Sequence, residues 1–283
     1  MIHQEVDKVE IIDFYDGEID WGLKSINVQN AWSKTKGEGV KIAVIDTGVD
    51  MNHQDLKDSI VRTINMQTKT RDVTDEFGHG THVAGLLTGK KTGVAPNSEL
   101  YVAKVLDANG RGSMANILDG ITFAINNNVD ILCMSLGVSQ KLPLILEQRI
   151  IDAYYSGITI VCATGNSNKN EVEYPSFYDK VVAVGGVDKD FKRASFSNFG
   201  REMNVVAPSV EILSIYKDGN YARMSGTSMA SPIVAGAIAL MISNARKNGE
   251  DLNPSQVIEK FKSLGKHTMD FGHGFIDLDK LLD

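Results

Sequence analysis

Residues 40–46 read VKIAVID, and after Lys41 the run is unbroken Ile, Ala and Val until it stops at Asp46. A strand with one face in water alternates apolar and polar residues, whereas one without polar positions is covered on both faces, as strands of a parallel sheet are. The same character recurs in ELYVAKVL (99–106), VDILCMSL (129–136), GITIVCAT (157–164), KVVAVGGV (180–187) and MNVVAP (203–208). Helical patterns such as MANILDGITFAINNN and LILEQRIIDAYYS lie between them. Strand–helix alternation of this kind predicts an α/β fold, a mostly parallel central sheet flanked by helices. In such sheets ligands bind beyond the carboxyl ends of the strands, so the residues that follow each run are where chemistry is expected.

A chain of 283 residues buries roughly three quarters of its unfolded surface, and no linker, charge block or repeat divides this one. A single domain is expected. The net charge of −7 and pI near 5.4 include no basic stripe, which argues against nucleic acid as a partner. The start, MIHQEVDKVEIIDFYDGEID, has no basic segment followed by an apolar core, and no apolar run reaches about 18 residues without polar breaks. Neither a secretory signal nor a membrane span is therefore expected, and the location implied is cytoplasmic. The two cysteines, Cys133 and Cys162, fall inside strand-like runs and read as buried free thiols rather than a disulfide framework.

The strand ends carry reactive residue types. Asp46 closes its run, Ser135 to Val138 follow DILCM, and Gly165 and Asn166 follow IVCAT. Ser228 opens the helix within MSGTSMASPIVAGAIALM (224–241), which beyond Thr227 is small, apolar and uncharged until Arg246, the pattern of a helix inside the protein. DEFGHGTHVAGLLTG (75–89) begins another small-residue helix at His79. Each of these has a plain reading taken alone: Ser228 as a helix N-cap, Asp46 as a turn residue, His79 as a surface residue in a Gly-rich turn, Asn166 as a left-handed turn position.

In this order, VIDTGVDMNHQDL, GHGTHVAG, GVAPNSELYVAKVL, MSLG, ATGN, ASFSNFG and GTSMASPIVAG resemble the subtilisin-like serine proteases, the subtilases, and in style their intracellular bacterial members. The likeness runs from about Trp21 to the terminal GHGFIDLDKLL. It implies a peptidase domain over residues 21–283, preceded by a short extension (1–20), and an endopeptidase acting on proteins or peptides through an acyl-enzyme. It also implies that Ser228 is the nucleophile, His79 the general base and acid, and Asp46 the carboxylate orienting the imidazole. The chemistry is coherent, because a hydroxyl attacks well only when an imidazole takes its proton, and the imidazole needs a partner that fixes its tautomer. Asn166 matches the family's side-chain oxyanion donor, whose loss lowers kcat about 10²–10³-fold in a subtilisin.

Extended substrate is expected between the edges Gly110 to Gly112 and Ser135 to Gly137. Met114, Ile117 and Leu136 are either walls of an apolar pocket or plain core. For the residue before the scissile bond, the likeness makes SLGV (135–138) and CATG (162–165) the walls and EVEYP (171–175) the base. Glu173 there either meets a basic side chain or turns to solvent beside Lys169. His82 falls at a position without a catalytic role and reads as structural.

No cofactor is expected to be required. GLLTGKKTGVAP (85–96) is shorter than the loop that supplies calcium ligands in many relatives and brings Lys90 and Lys91, which leaves Asp55 in a surface turn. A weaker cation site near Glu202, with Asn204 where an acid is common, is the remaining metal expectation. VEIIDFYD (9–16) is strand-like and could lie along the substrate edges as an inhibitory segment, without the proline-containing pattern of such segments. Rival readings fare worse. DTG at Asp46 also opens the aspartic-protease motif, which needs two such carboxylates on a mostly β fold. A metal set of His79, His82 and Asp46 lacks the Glu of H-E-x-x-H. A catalytically silent subtilase scaffold is the alternative, against which Asp46, His79, Asn166 and Ser228 all stand intact.

Overall fold

The structure is a computed structural model that describes residues 2–3, 9–12 and 15–282. In chain order its elements are β1 (Ile2–His3), β2 (Val9–Ile12), α1 (Trp21–Ser25), α2 (Val28–Lys34), β3 (Lys41–Asp46), β4 (Ile60–Asn65), α3 (His79–Thr88), β5 (Glu99–Lys104), β6 (Arg111–Gly112) and α4 (Met114–Asn126). There follow β7 (Ile131–Met134), α5 (Leu144–Tyr155), β8 (Thr159–Ala163), β9 (Val181–Val187), β10 (Val205–Pro208), β11 (Ile212–Ile215), β12 (Tyr221–Met224), α6 (Thr227–Lys247), α7 (Pro254–Lys260) and α8 (Leu278–Leu281).

Seven strands form one sheet in the order β10-β9-β8-β7-β3-β5-β4, and every neighbouring pair is parallel. The six apolar runs are six of these strands, so the α/β expectation holds. Along β3 the side chains divide between two cores, Ile42 and Val44 facing one cluster with α3 and α6, Ala43 and Ile45 facing another with α4 and α5. That double coverage is why the run lacks polar positions. From β3 the chain goes to one side, laying down β4 and β5, and then crosses to place β7 on the other. The carboxyl ends of β3 and β7 therefore flank the switch point at which parallel sheets open a crevice.

α6 runs through the interior. By length and composition it could cross a membrane, with a mean hydropathy of 1.5 over an 18-residue stretch, but 94% of that stretch is buried inside the protein. Its neighbours are α3 and strands β7 to β10. Ile233, Val234, Ile238 and Leu240 have no exposed surface, each side chain contributing roughly 1.5–3 kcal/mol on burial. Cys133 and Cys162 are free and buried as expected, and burial pushes the Cys133 thiol up to about 12.

The extension behaves differently from its sequence reading. Val9–Ile12 is a strand, yet it pairs antiparallel with β12, Val9 opposite Met224 and Ile12 opposite Tyr221, not with the substrate edges. The β11–β12 hairpin otherwise ends in an open edge of backbone donors and acceptors, which β2 satisfies. Asp13 and Phe14 of the expected 9–16 segment lie outside the described residues. The pairing found at Arg111–Gly112 belongs to β1, with Ile2 opposite Gly112 and His3 opposite Arg111.

Candidate active site

Asp46 ends β3 and His79 begins α3, and the two meet in the crevice. His79 Nδ1 donates to Asp46 Oδ1 at 2.7 Å, with the side chains 1% and 0% exposed respectively. The carboxylate fixes the tautomer, because an acceptor there requires the proton on Nδ1 and leaves Nε2 as a base. The same oxygen takes the Thr47 amide at 2.7 Å, while Oδ2, also buried, finds no donor.

A residue the sequence reading passed over holds the two together. Asp75 is buried, and its Oδ1 accepts from the Thr47 hydroxyl at 2.8 Å and the Gly78 amide at 2.8 Å. Its Oδ2 accepts from the Thr81 amide at 2.8 Å and the Thr81 hydroxyl at 2.6 Å. Asp75 thus caps the first turn of α3 and ties it to the residue after Asp46. An Asp three positions before a Gly-rich helix start was the available signal. One turn on, His82 Nε2 donates to the carbonyls of Ile212 and Ala222, both at 3.1 Å, which anchors α3 to β11 and β12. His82 is structural, as expected.

Ser228 lies in the first turn of α6 and is 4% exposed. Pro232 is inside the same helix and has no N–H to bond the carbonyl four residues back. The Ser228 carbonyl is thereby released, and Ser135, just after β7, donates its hydroxyl to it at 3.0 Å. The Ser228 hydroxyl donates in return to the Ser135 carbonyl at 3.2 Å. The start of α6 is thus fastened to the strand next to β3. Asn166 follows β8, and its Oδ1 accepts from the Thr227 amide and hydroxyl, each at 2.9 Å. With its oxygen held, its Nδ2 is the end left to donate, beside the positive end of α6.

The sequence profile of the subtilase family matches residues 37–275. The chain belongs to the subtilase family. It is 41% identical to subtilisin DY of Bacillus licheniformis over 256 residues, 86% of this chain and 91% of that protein. It is 38% identical to an intracellular serine protease of Paenibacillus polymyxa over 280 residues, 92% of this chain and 86% of that one. Over 282 residues it is 37% identical to the major intracellular serine protease of Bacillus subtilis strain 168, 92% and 88% of the two chains. The subtilase is a serine protease of the subtilisin type.

The remaining expected residues fall around this centre. In the subtilase Gly110, at φ +68°, closes a turn by donating its amide to Asp107 at 3.0 Å, and Gly112 ends β6. Met114 opens α4, half-buried against the α4–α5 core. Ile117 and Leu136 are each 2% exposed and line a narrow apolar cavity with Leu142, Leu146 and Tyr174, so they are core and cavity wall at once. Gly137 and Glu173 lie beside the Val138–Tyr174 bridge, with the Glu173 side chain directly against Gly137.

At the two places where the sequence raised calcium, the side chains have the following partners. Lys90 pairs with Asp58, and Lys91 Nζ lies 5.9 Å from the ring centroids of both Tyr15 and Tyr221. Asp55 accepts the Tyr221 hydroxyl at 2.8 Å. Near Glu202, one carboxylate oxygen takes Arg201 at 2.7 Å and the Asn204 amide oxygen takes the Ala183 amide at 2.7 Å. Among the described residues no group of three or more His, Cys, Asp or Glu could hold a metal.

Proposed function

We propose that the subtilase is an endopeptidase in which Ser228 attacks the peptide carbonyl. His79 takes the hydroxyl proton and returns it to the leaving amine, and Asp46 stabilises the imidazolium that forms between. Asn166 Nδ2 and the backbone amide of Ser228 then receive the oxyanion, in a dry site where such donors act strongly. The observation that carries this reading is the buried 2.7 Å contact between His79 and Asp46 at the switch point. Protein or peptide substrates would lie extended between Gly110–Gly112 and Ser135–Gly137, with no metal, nucleic acid or membrane taking part. Two relatives are named as intracellular proteases, which supports a cytoplasmic location.

The test is a fluorophosphonate active-site titration followed by peptide mapping. Label is expected on Ser228, and Ser228→Ala should lose both label and peptide hydrolysis while keeping its far-ultraviolet circular dichroism. An unlabelled, inactive but folded protein would return the chain to the role of a silent scaffold, and turnover by the alanine variant would exclude Ser228.

A further inference from the structure

ASFSNFG (194–200) supplies no group to the proposed chemistry. Its Asn198 is nevertheless 1% exposed and is bonded along the whole loop that carries Asn166. The side-chain Oδ1 accepts from the Ser167 amide and the Lys169 amide, each at 3.0 Å. Nδ2 donates to the Thr164 carbonyl at 3.1 Å. From the Asn198 backbone, the amide donates to the Gly165 carbonyl at 2.9 Å and the carbonyl takes the Thr164 hydroxyl at 3.2 Å. Asn166 is thus bracketed on both sides.

The bracketing matters because the Asn166 backbone makes no hydrogen bond of its own among the described residues. Ser167, Asn168 and Lys169 are exposed, and a loop with so little packing opens readily unless it is tied down. Asn198 ties it from the buried side, and the Phe196 carbonyl and Phe199 amide add a bond each, to Asn168 and Lys169. A side-chain amide suits this task because it offers donors and acceptors at one tip: Oδ1 serves the residues after Asn166 and an N–H serves the residues before it. Gly165 makes the room, since at φ +103° a Cβ there would lie 2.5 Å from Asn198 Nδ2. At the far end of the Asn166 side chain, Thr227 holds Oδ1. Root and tip are therefore fixed by different elements, and the direction of Nδ2 is set between them.

We propose that Asn198 is a positioning residue for the oxyanion site: it holds the root of Asn166 so that Nδ2 already stands where negative charge develops on the substrate oxygen. This rests on Ser228 being the nucleophile and Asn166 the oxyanion donor. Such a donor acts when it lies about 2.7–3.1 Å from the oxyanion, not from the carbonyl oxygen of the bound substrate. Removing the Asn198 side chain frees the Thr164 carbonyl and the Ser167 and Lys169 amides, and the loop moves with them. The displacement weakens the transition state and spares substrate binding.

The experiment makes Asn198→Ala and the milder Asn198→Ser, each alone and together with Asn166→Gly, and follows hydrolysis of one peptide anilide with active sites counted by end-point fluorophosphonate titration. Asn198→Ala alone should lower kcat by on the order of ten- to a hundredfold, below the about 10²–10³-fold loss of the donor itself, and change KM by less than about threefold. Asn198→Ser should fall between it and the unaltered protein. A peptide aldehyde, which forms a tetrahedral adduct with the serine, should lose affinity by the same factor as kcat/KM. In the Asn166→Gly background neither substitution should lower kcat by more than about twofold, because a residue acting through Asn166 then has nothing to position. Equal losses in both backgrounds, a loss confined to KM, or unchanged kinetics in Asn198→Ala would overturn the proposal. Should the alanine variant not fold, the serine cycle and the aldehyde decide in the same way. Unchanged kcat in Asn166→Gly alone would instead overturn the oxyanion reading, and absence of label the serine reading.

Discussion

His82, one turn along α3 from His79, is held neutral. Burial above all pushes its pKa down from 6.5 to about 3, with the neighbouring His79 adding to the fall and the Ala222 and Ile212 carbonyls opposing it. The unfolded chain thus binds a proton below about 6.5 that the folded chain refuses until about 3, so this residue's stabilisation is complete above 6.5 and is lost as the pH falls. Each pH unit in that window removes about 1.4 kcal/mol. Urea unfolding of the Ser228→Ala protein at pH 7 and pH 4.5 should show this loss. Adding His82→Gln should lower stability at pH 7, through the lost carbonyl bonds, yet flatten the fall toward pH 4.5. Parallel pH curves with and without His82 would contradict the assignment. At this scale Asp46, His79, Asn166 and Ser228 could be singled out as candidates because reactivity resides in the side chain itself. Asp75 and the Ser135–Pro232 arrangement were not, since they work through backbone groups whose partners become known only with the register of the sheet and helix.

The strands of the extension, β1 and β2, divide two roles between them. β1 pairs with β6, the edge proposed for substrate, whereas β2 completes the sheet of β11 and β12 and leads to Tyr15, whose ring sits 4.8 Å from that of Tyr221. Deleting residues 2–8 should raise kcat/KM toward a short peptide anilide and leave the melting temperature unchanged. Deleting residues 2–16 should also lower that temperature by roughly 2–8 °C, as expected for a loss of 1–2 kcal/mol. Unchanged kinetics in the shorter deletion would remove β1 as a competitor of substrate. The sequence identified β2 as a strand from its Val and Ile, but pairing is a long-range choice that its own residues do not encode. β4 went unread for a related reason. It is a sheet edge with a bulge between Ile60 and Arg62, and its polar Arg62 and Thr63 interrupt the apolar signal that marked the central strands. In the β11–β12 hairpin, Ser214 and Arg223 break the apolar pattern of two four-residue strands.

Across the whole molecule, the strand–helix alternation was enough to specify a parallel sheet, because burial on both faces writes itself into composition. The cation arrangement was legible only in outline. Lys90 and Lys91 could be read as two cations in this loop, but the placement of Lys91 against Tyr15 and Tyr221 joins residues more than 200 positions apart. With no cofactor required, as proposed, the melting temperature in EGTA should stay within about 2 °C of that in millimolar calcium, because a bound ion would stabilise by mass action. A drop of tens of degrees would reveal a metal site. α6 carries Ser228 in its first turn and fills the core with the rest of its length. With Ser228 as the proposed nucleophile, a copy whose core melts disarms itself as it becomes digestible. Autolysis on heating is left to encounters between an intact copy and an unfolded one, second order in protein, and a dilute solution outlasts a concentrated one.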